Sequence, residues 1–353
     1  MRSERIPMSD QQAKTASTLD QFMEELGLTN THVARAIDVS TSVISQVRRG
    51  IYPGDLDQVS NKLHNYMESV RRKREGGVND QFVETTVAKK IQILIAHVDK
   101  FSLHEAKIGM VIGDGGCGKS RCLEQYTIAN KNAIYLQLDR TMNATRIFAA
   151  VAKKLKIDSS GSLAAIAERI VDALEGRQTI IILDEASYLN VSILDQLRQV
   201  IVVKGKCPLI LAGNNDLLNT INQSTVRRGY ESLDQFNSRL MMVLDIDRLA
   251  ADPDGGLYTP ADIRKLYQYG GISLSTDGVN RLVQIAKSPK MGRLRSCTTI
   301  IVALHTYCKA KDIDCITREL IDRAIPELGL PIKNKLATIP ETRVEQEIKT
   351  KAG

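Results

Sequence analysis

Short apolar runs alternate with amphipathic stretches between residues 107 and 250. The runs lie at 107–112, 134–139, 179–183, 208–213 and 241–246. An unbroken run such as 179–183 is typical of a strand that is buried on both faces of a parallel sheet. Apolar residues at helical spacing predict helices over 86–98, 145–156 and 162–175. The pattern therefore predicts an α/β domain with a parallel sheet.

Helical patterns flank this domain on both sides. They cover residues 17–70 and about 259–330, and a loop of Asp, Pro and Gly at 251–256 precedes the second. The expected units are residues 1–75, 80–250, 255–335 and 336–353. The last is polar with few large apolar residues, so we expect a tail that frays. The predicted fold class is an α/β core with a helical lid, preceded by an all-α unit.

A glycine-rich loop follows the first apolar run and leads into a helix-forming stretch. It matches the phosphate-loop pattern G-x-x-x-x-G-K-[ST]. We assign to nucleotide binding Gly113, Asp114, Gly115, Gly116, Cys117, Gly118, Lys119, Ser120 and Arg121. Glycines let the backbone turn around a phosphate, and the helix adds its positive N-terminal end. Lys119 is expected to reach the β- and γ-phosphates of ATP, and Ser120 to ligate Mg²⁺.

Two carboxylates follow the apolar run 179–183. In an open α/β sheet, the carboxyl ends of the strands carry the groups that bind the ligand. We expect Asp184 to hold Mg²⁺ and Glu185 to activate the attacking water as general base. A core strand followed by a helix-capping Asp is the alternative, and the phosphate loop favours the catalytic interpretation.

Three polar positions have weaker support. Asn214 follows the strand 208–213, where it would orient the lytic water or form an ordinary turn. Arg239 precedes the last apolar run and is either an arginine finger for a neighbour's γ-phosphate or a solvated surface arginine. Arg227 and Arg228 are the next candidates for that finger. Arg295 ends a Gly-x-x-Arg pattern and would reach the nucleotide from the lid.

The N-terminal helical unit contains a helix-turn-helix pattern. Its two short helices would pack through Val33, Ile37, Val39, Ile44 and Val47. Asp38 takes the turn position where Gly is usual, and Asp tolerates the left-handed conformation. The expected DNA-binding residues are Thr41, Ser42, Ser45, Gln46, Arg48 and Arg49. A basic linker at 71–74 follows. A protein-docking module is the alternative, and the polar exposed face favours DNA.

Composition and charge indicate the kind of partner and the cellular compartment. The 353 residues carry a net charge of +7, which suits a polyanionic partner. No apolar run has the length of a membrane span, and the first residues lack a signal-peptide core. Six cysteines without C-x-x-C spacing predict free thiols in a reducing compartment such as a cytoplasm. Cys117 is either a reactive thiolate beside Lys119 or an inert small residue.

The order of motifs resembles that of AAA+ ATPases over residues 82–330. The phosphate loop is similar to Walker A, and Asp184-Glu185 is similar to Walker B. Three further positions are similar to sensor 1, the arginine finger and sensor 2: Asn214, Arg239 and Arg295, respectively. Together with the helix-turn-helix and the basic linker, the chain resembles the Mu phage B group of DNA-transposition ATPases. The final ninth of the chain lies outside what these motifs align.

This resemblance implies a function. Members of the group would assemble with ATP as a helical homo-oligomeric filament on double-stranded DNA, largely without sequence preference. They would deliver that DNA to a DDE transposase, stimulate it, and hydrolyse ATP under DNA stimulation. Two alternatives stay open: a helicase loader or other replication ATPase, and a transcription regulator in which the nucleotide is only a switch.

Overall fold

The structure, a computed structural model, describes residues 10–75, 82–224 and 232–330. The expected tail at 336–353 and the candidates Arg227 and Arg228 lie outside these residues. No helix within the described ranges is long and apolar enough to span a membrane.

Four helices form the N-terminal unit. They are α1 (Asp10–Leu26), α2 (Asn30–Ala36), α3 (Thr41–Arg48) and α4 (Leu56–Glu75). The Thr29 hydroxyl accepts a hydrogen bond from the His32 backbone N–H, and this cap starts α2. Between α2 and α3, Asp38 has φ 54°, the left-handed conformation that the turn position predicts. The predicted helix pair is confirmed, but residues 71–74 continue α4 and do not form a linker.

A separate hydrophobic core holds these helices together. Of the five apolar residues predicted to pack the helix pair, four are buried and Val39 is partly buried against the same core. Leu19, Phe22 and Leu63 contribute from α1 and α4. Because the periodicity of a short amphipathic helix fixes its buried face, sequence alone located this core.

Five parallel strands form the central sheet. They are β1 (Ile108–Ile112), β2 (Ala133–Gln137), β3 (Ile180–Asp184), β4 (Leu209–Gly213) and β5 (Leu240–Asp245). Their order across the sheet is β2-β3-β4-β1-β5. Strands β1, β3 and β4 are buried at every position, as the unbroken apolar runs predict. The phosphate loop therefore leaves the sheet near its middle, between β4 and β5.

Helices cover both faces of the sheet. They are α5 (Thr86–Phe101), α6 (Lys119–Ala129), α7 (Ala144–Leu155), α8 (Leu163–Leu174), α9 (Val191–Leu197), α10 (Asn215–Ser224) and α11 (Ser232–Arg239). A π-helix over Arg198–Lys204 extends α9. Alternate residues of each strand face one of two cores: Met110 faces the core with α7 and α8, and Val111 faces the core with α5. This two-sided burial is what a parallel sheet requires.

The C-terminal helical unit packs on the second of these cores. It contains α12 (Ile246–Ala251), α13 (Pro260–Tyr267), α14 (Thr276–Lys287), α15 (Arg293–Lys311) and α16 (Arg318–Glu327). The short strands β6 (Ser273–Leu274) and β7 (Cys315–Ile316) pair in parallel, which the sequence did not predict. Because lid and sheet share one continuous core, the lid is held against the phosphate loop.

Candidate nucleotide site

The phosphate loop takes a conformation that glycine permits. Gly116 has φ 82° and Gly118, the N-cap of α6, has φ 95°. A Cβ placed on Gly116 would lie 2.7 Å from the backbone oxygen of Gly292 in the lid. Any other side chain would therefore push the lid off the loop. The backbone N–H groups at the start of α6 are left to bind an anion.

Lys119 is buried within this loop. Its Nζ donates to the backbone oxygen of Gly113 and lies 3.4 Å from the oxygen of Asp114. These carbonyls surround the ammonium where phosphate oxygens would replace them. Ser120, the next residue, lies on the wall of the same cavity.

Cys117 lies beneath the loop. Its side chain is 1% exposed, and its Sγ lies 3.4 Å from Nζ of Lys119. The buried thiol favours the inert interpretation over a reactive thiolate, because a reagent would have to displace the loop to reach it. Burial also raises the pKa of the nearby Cys122 thiol to about 12.

Asp184 and Glu185 stand where β3 ends. Asp184 is fully buried, and its carboxylate accepts hydrogen bonds of 2.9 Å from the Tyr135 hydroxyl and from the Glu185 N–H. Burial, and then the charge of Asp184, raise the pKa of Tyr135, so this phenol remains a donor. Glu185 has φ 57°, and its side chain lines the nucleotide cavity. A non-glycine residue in this conformation costs on the order of 1 kcal/mol and is typical of a functional position.

One cavity joins the phosphate loop, Glu185 and the lid. Its volume of about 550 Å³ is that of a cofactor site. Away from the loop it is lined mainly by apolar and aromatic side chains: Phe82, Val83, Leu266, Tyr267, Tyr269 and Leu294. A flat, apolar base fits this part, while phosphates fit the loop. Sequence reasoning missed these residues, and the only signal was the apolar pair before α5.

The lid contacts the loop directly. The N–H of Leu294 donates to the backbone oxygen of Gly116 over 3.2 Å. Arg295 lines the cavity, and a Cβ on Gly115 would lie 3.9 Å from its Nη1. The structure therefore brings Arg295 to the phosphate loop, where its charge faces the place of the phosphates.

A buried ion pair links the lid, α12 and the loop. Arg293 is 0% exposed, and its Nη2 donates to Oδ1 of Asp247. The other carboxylate oxygen, Oδ2, accepts from the Asp114 N–H at 2.8 Å. Nearby, the Tyr258 hydroxyl donates to the backbone oxygen of Cys117 over 3.1 Å. Sequence reasoning did not single out Arg293, Asp247 or Tyr258.

Comparison with known proteins agrees with this geometry. Residues 102–221 match the family described as AAA domain. Over 316 residues the chain is 22% identical to ATP-dependent target DNA activator B of Escherichia phage Mu, covering 89% of this chain and 95% of that protein. The chain is therefore similar to Mu phage B over most of its length. The equivalent protein of Escherichia phage D108 matches over the same shares, also at 22% identity.

A third relative matches part of the chain. The Mu-like prophage FluMu DNA transposition protein B of Haemophilus influenzae is 23% identical over 200 residues, 56% of this chain and 68% of that protein. The resemblance to the Mu phage B group, expected from the order of motifs, is confirmed by these matches. The match to an AAA domain over residues 102–221 agrees with the predicted α/β fold class.

Asn214 forms the turn that starts α10. Its Oδ1 accepts from the Asp216 N–H at 2.9 Å, and its Nδ2 donates to Asp216 over 3.0 Å. Its own N–H donates to the Ser187 hydroxyl, just beyond the end of β3. Asn214 thus lies at the carboxyl end of β4, on the same edge of the sheet as the phosphate loop, with its amide bonded locally.

Arg239 lies on the opposite edge of the sheet. It precedes β5, whose first residue pairs with Ile108 at the start of β1. Its Nη1 lies 2.5 Å from Oε1 of Glu105. Bonding to Lys107, and then the charge of Arg239, lower the pKa of Glu105. Arg239 therefore lies far from the phosphate loop of its own subunit.

The predicted DNA-binding residues of α3 differ in their surroundings. Thr41, Ser42 and Arg49 are exposed, whereas Ser45 and Gln46 are partly buried. Arg48 bonds to Asp20 of α1 and, over 2.8 Å, to Oδ1 of Asn30 in α2. This arginine holds three helices together, so its guanidinium is engaged within the unit.

Proposed function

We propose that this protein is an ATP-dependent DNA-binding ATPase of DNA transposition, which assembles on double-stranded target DNA and delivers it to a DDE transposase that it stimulates. The observation that carries the proposal is the similarity to the two phage target DNA activators, which spans 95% of their length. It is supported by a nucleotide cavity that adjoins the phosphate loop.

The residues of the cavity fit MgATP. Gly113–Ser120 would cradle the phosphates, and Ser120 and Asp184 would supply oxygen ligands to Mg²⁺. The fit is favoured by the two positive-φ glycines and by an ammonium whose partners among the described residues are carbonyls and a thiol. When bound, Mg²⁺ would neutralise charge that develops on the transferred phosphate.

The remaining chemistry belongs to the side chains around the phosphates. Lys119 would exchange its carbonyl partners for phosphate oxygens. Glu185 would take a proton from the attacking water, since its side chain lines the cavity beside the loop. Tyr135 holds Asp184 in one orientation. Arg295 would report on the γ-phosphate from the lid, which contacts the loop through Leu294.

Assembly would complete the site. Because Arg239 lies on the sheet edge opposite its own phosphate loop, we propose that it acts on the nucleotide of a neighbouring copy. Such an arrangement suits a helical homo-oligomer whose subunit boundaries depend on the γ-phosphate. Hydrolysis would remove that contact and loosen the boundary.

The N-terminal unit would bind DNA through its phosphates. We assign this role to residues 1–75, with the ATPase core at 80–250 and the lid at 255–335. The exposed face of α3 offers hydroxyls and Arg49, groups that bond backbone oxygens without reading a sequence. Binding of this kind depends steeply on salt.

Electron microscopy with random-sequence duplex DNA tests the proposal. We expect filaments with ATP, none with ADP, and none for Lys119→Ala, which removes the ammonium from the phosphates. Lys265→Ala, an exposed lysine of the lid, is the matched control and should form filaments. A requirement for one operator sequence, with negligible turnover, would instead identify a transcription regulator. Loading of a helicase without stimulation of a transposase would identify a replication ATPase.

A further inference from the structure

A basic residue precedes every strand of the central sheet. Since the five strands are parallel, these residues share the edge opposite the nucleotide. In the order of the sheet they are Lys131, Arg177, Lys206, Lys107 and Arg239. With strands about 4.8 Å apart, the row is about 19 Å long. The sequence alone does not reveal this basic edge, because its residues are up to 132 positions apart in the chain.

The basic edge has two unlike parts. Lys107 and Arg239 are both paired with Glu105. Within the described residues, no ion pair joins Lys131, Arg177 or Lys206 to an acidic side chain. The part at β2, β3 and β4 therefore has uncompensated positive charge.

Two adjoining cavities open along this uncompensated part. Their volumes are about 350 and 410 Å³, and both are lined by Arg177 together with Asn132, Gln178 and Thr179. The first adds Lys131, Lys154 and Lys156, and the second adds Lys100 and Lys206. Asp99 is the one acidic residue of the described lining. Six cations thus converge on a concave surface with one opposing charge.

Two of these lysines occupy positions that favour glycine. Lys156 ends α7 with φ 62°, and Lys206 follows the π-helix with φ 48°. Left-handed positions after helices are usually filled by glycine, because its lack of a Cβ removes the strain. Here both carry a long basic side chain that lines one of the cavities. The backbone strain at both positions is consistent with a binding role for the positive charges of these two lysines.

We infer that this part of the basic edge binds the phosphate backbone of duplex DNA. The inference rests on the proposed function and adds a surface of the AAA+ core to the N-terminal unit. The three strands of this part span about 10 Å. A duplex presents one negative charge per about 1.7 Å of its axis, so this part faces several phosphates. Asn132, Gln178 and Thr179 add neutral donors beside the cations. None of these contacts reads a base, which agrees with binding that is largely independent of sequence.

Salt dependence of DNA binding measures these contacts. The full-length variant Lys131→Gln/Arg177→Gln/Lys206→Gln is titrated with a random-sequence duplex at several salt concentrations with ATP. Each lost phosphate contact lowers the slope of log affinity against log salt by about 0.9, so three contacts lower it by about 2.7. With the affinity at 1 M salt unchanged, this difference in slope makes binding ~500-fold weaker at 0.1 M salt. The charge-retaining variant Lys131→Arg/Arg177→Lys/Lys206→Arg should keep the parent slope.

A second triple variant controls for net charge. Lys265→Gln/Lys290→Gln/Lys311→Gln removes three exposed lysines of the lid, and its slope should stay near that of the parent. Binding of a fluorescent ATP analogue should be unchanged in all variants, because the basic edge lies opposite the nucleotide. If the first triple variant keeps the salt-dependence slope of the parent protein, this inference is overturned and the proposed function stands. A parent protein that binds no DNA overturns both.

Discussion

Breaking the buried ion pair between lid and phosphate loop should destabilise the protein strongly. In Arg293→Met an apolar side chain of similar length replaces the guanidinium. The carboxylate of Asp247, whose side chain is 13% exposed, then loses its partner. Removal of one partner from a buried pair costs about 3–5 kcal/mol, because the remaining charge is uncompensated. For a unit of this size the melting temperature should fall by about 6–20 °C.

The second partner makes the test quantitative. Asp247→Asn removes the charge but keeps an oxygen that accepts from the Asp114 N–H. It leaves Arg293 buried without its carboxylate, so this single variant should also lose several kcal/mol. In the double variant both charges are gone. We expect its loss to be smaller than the sum of the single losses by about 1–3 kcal/mol, the coupling energy of contacting residues.

Thermal melts and ATP titrations supply the two readouts. Arg323→Met is the matched control, because Arg323 is largely exposed on α16, and it should change stability by less than about 0.5 kcal/mol. Below the melting temperature, Arg293→Met should bind ATP more weakly, since Asp247 no longer fixes the loop. A melting temperature within 2 °C of the parent, with additive single losses, would refute the proposed link.

Three further outcomes follow from the site. Glu185→Gln should bind ATP normally but hydrolyse it at least about tenfold more slowly; unchanged turnover would assign the base to another group. Arg239→Ala should bind ATP yet lose DNA-stimulated turnover. Mixing it with Lys119→Ala should restore part of that turnover. If turnover is not restored at any mixing ratio, Arg239 does not act on the nucleotide of a neighbouring copy. Burial lowers the pKa of His305, which stacks on Tyr269 at 4.6 Å. The unfolded chain therefore binds this proton more readily, and stability is lost as pH falls below about 6.5. Melts of parent and His305→Phe at pH 7.5 and 5.5 should show the parent losing more, and equal losses would contradict this.

The features that sequence located are those that local chemistry determines. The loop from Gly113 to Ser120 is a continuous motif, and the strands buried on both faces, such as β3, are unbroken apolar runs. Asp38 was predicted in a left-handed turn from its position alone, and its φ of 54° agrees. In each case, neighbours in the chain supply the whole signal.

The features that sequence missed depend on contacts between distant segments. Arg293 reads as a surface arginine, yet it is completely buried because Asp247, 46 residues away, supplies a carboxylate. The apolar part of the nucleotide cavity brings together Phe82 and Tyr269, which lie far apart in the sequence. The basic edge follows from the order of the strands, which no local pattern encodes. Short parallel strands such as Cys315–Ile316 give too few residues for a periodicity.

The position of β1 between β4 and β5 also sets when the nucleotide site can form during synthesis. Ile108 pairs with Leu209 and Leu240, which follow it by 101 and 132 residues. Strand β1 therefore cannot pair on both sides until β5 has been synthesised. The lid residues that contact the loop emerge later still. At about 5–20 residues per second, the interval between residues 112 and 295 lasts about 10–40 s. During the first part of that interval, until β4 has been synthesised, the apolar strand β1 has no partner strand. The complete cavity, with its lid residues, forms only at the end of the interval, so ATP can stabilise the domain only after that point.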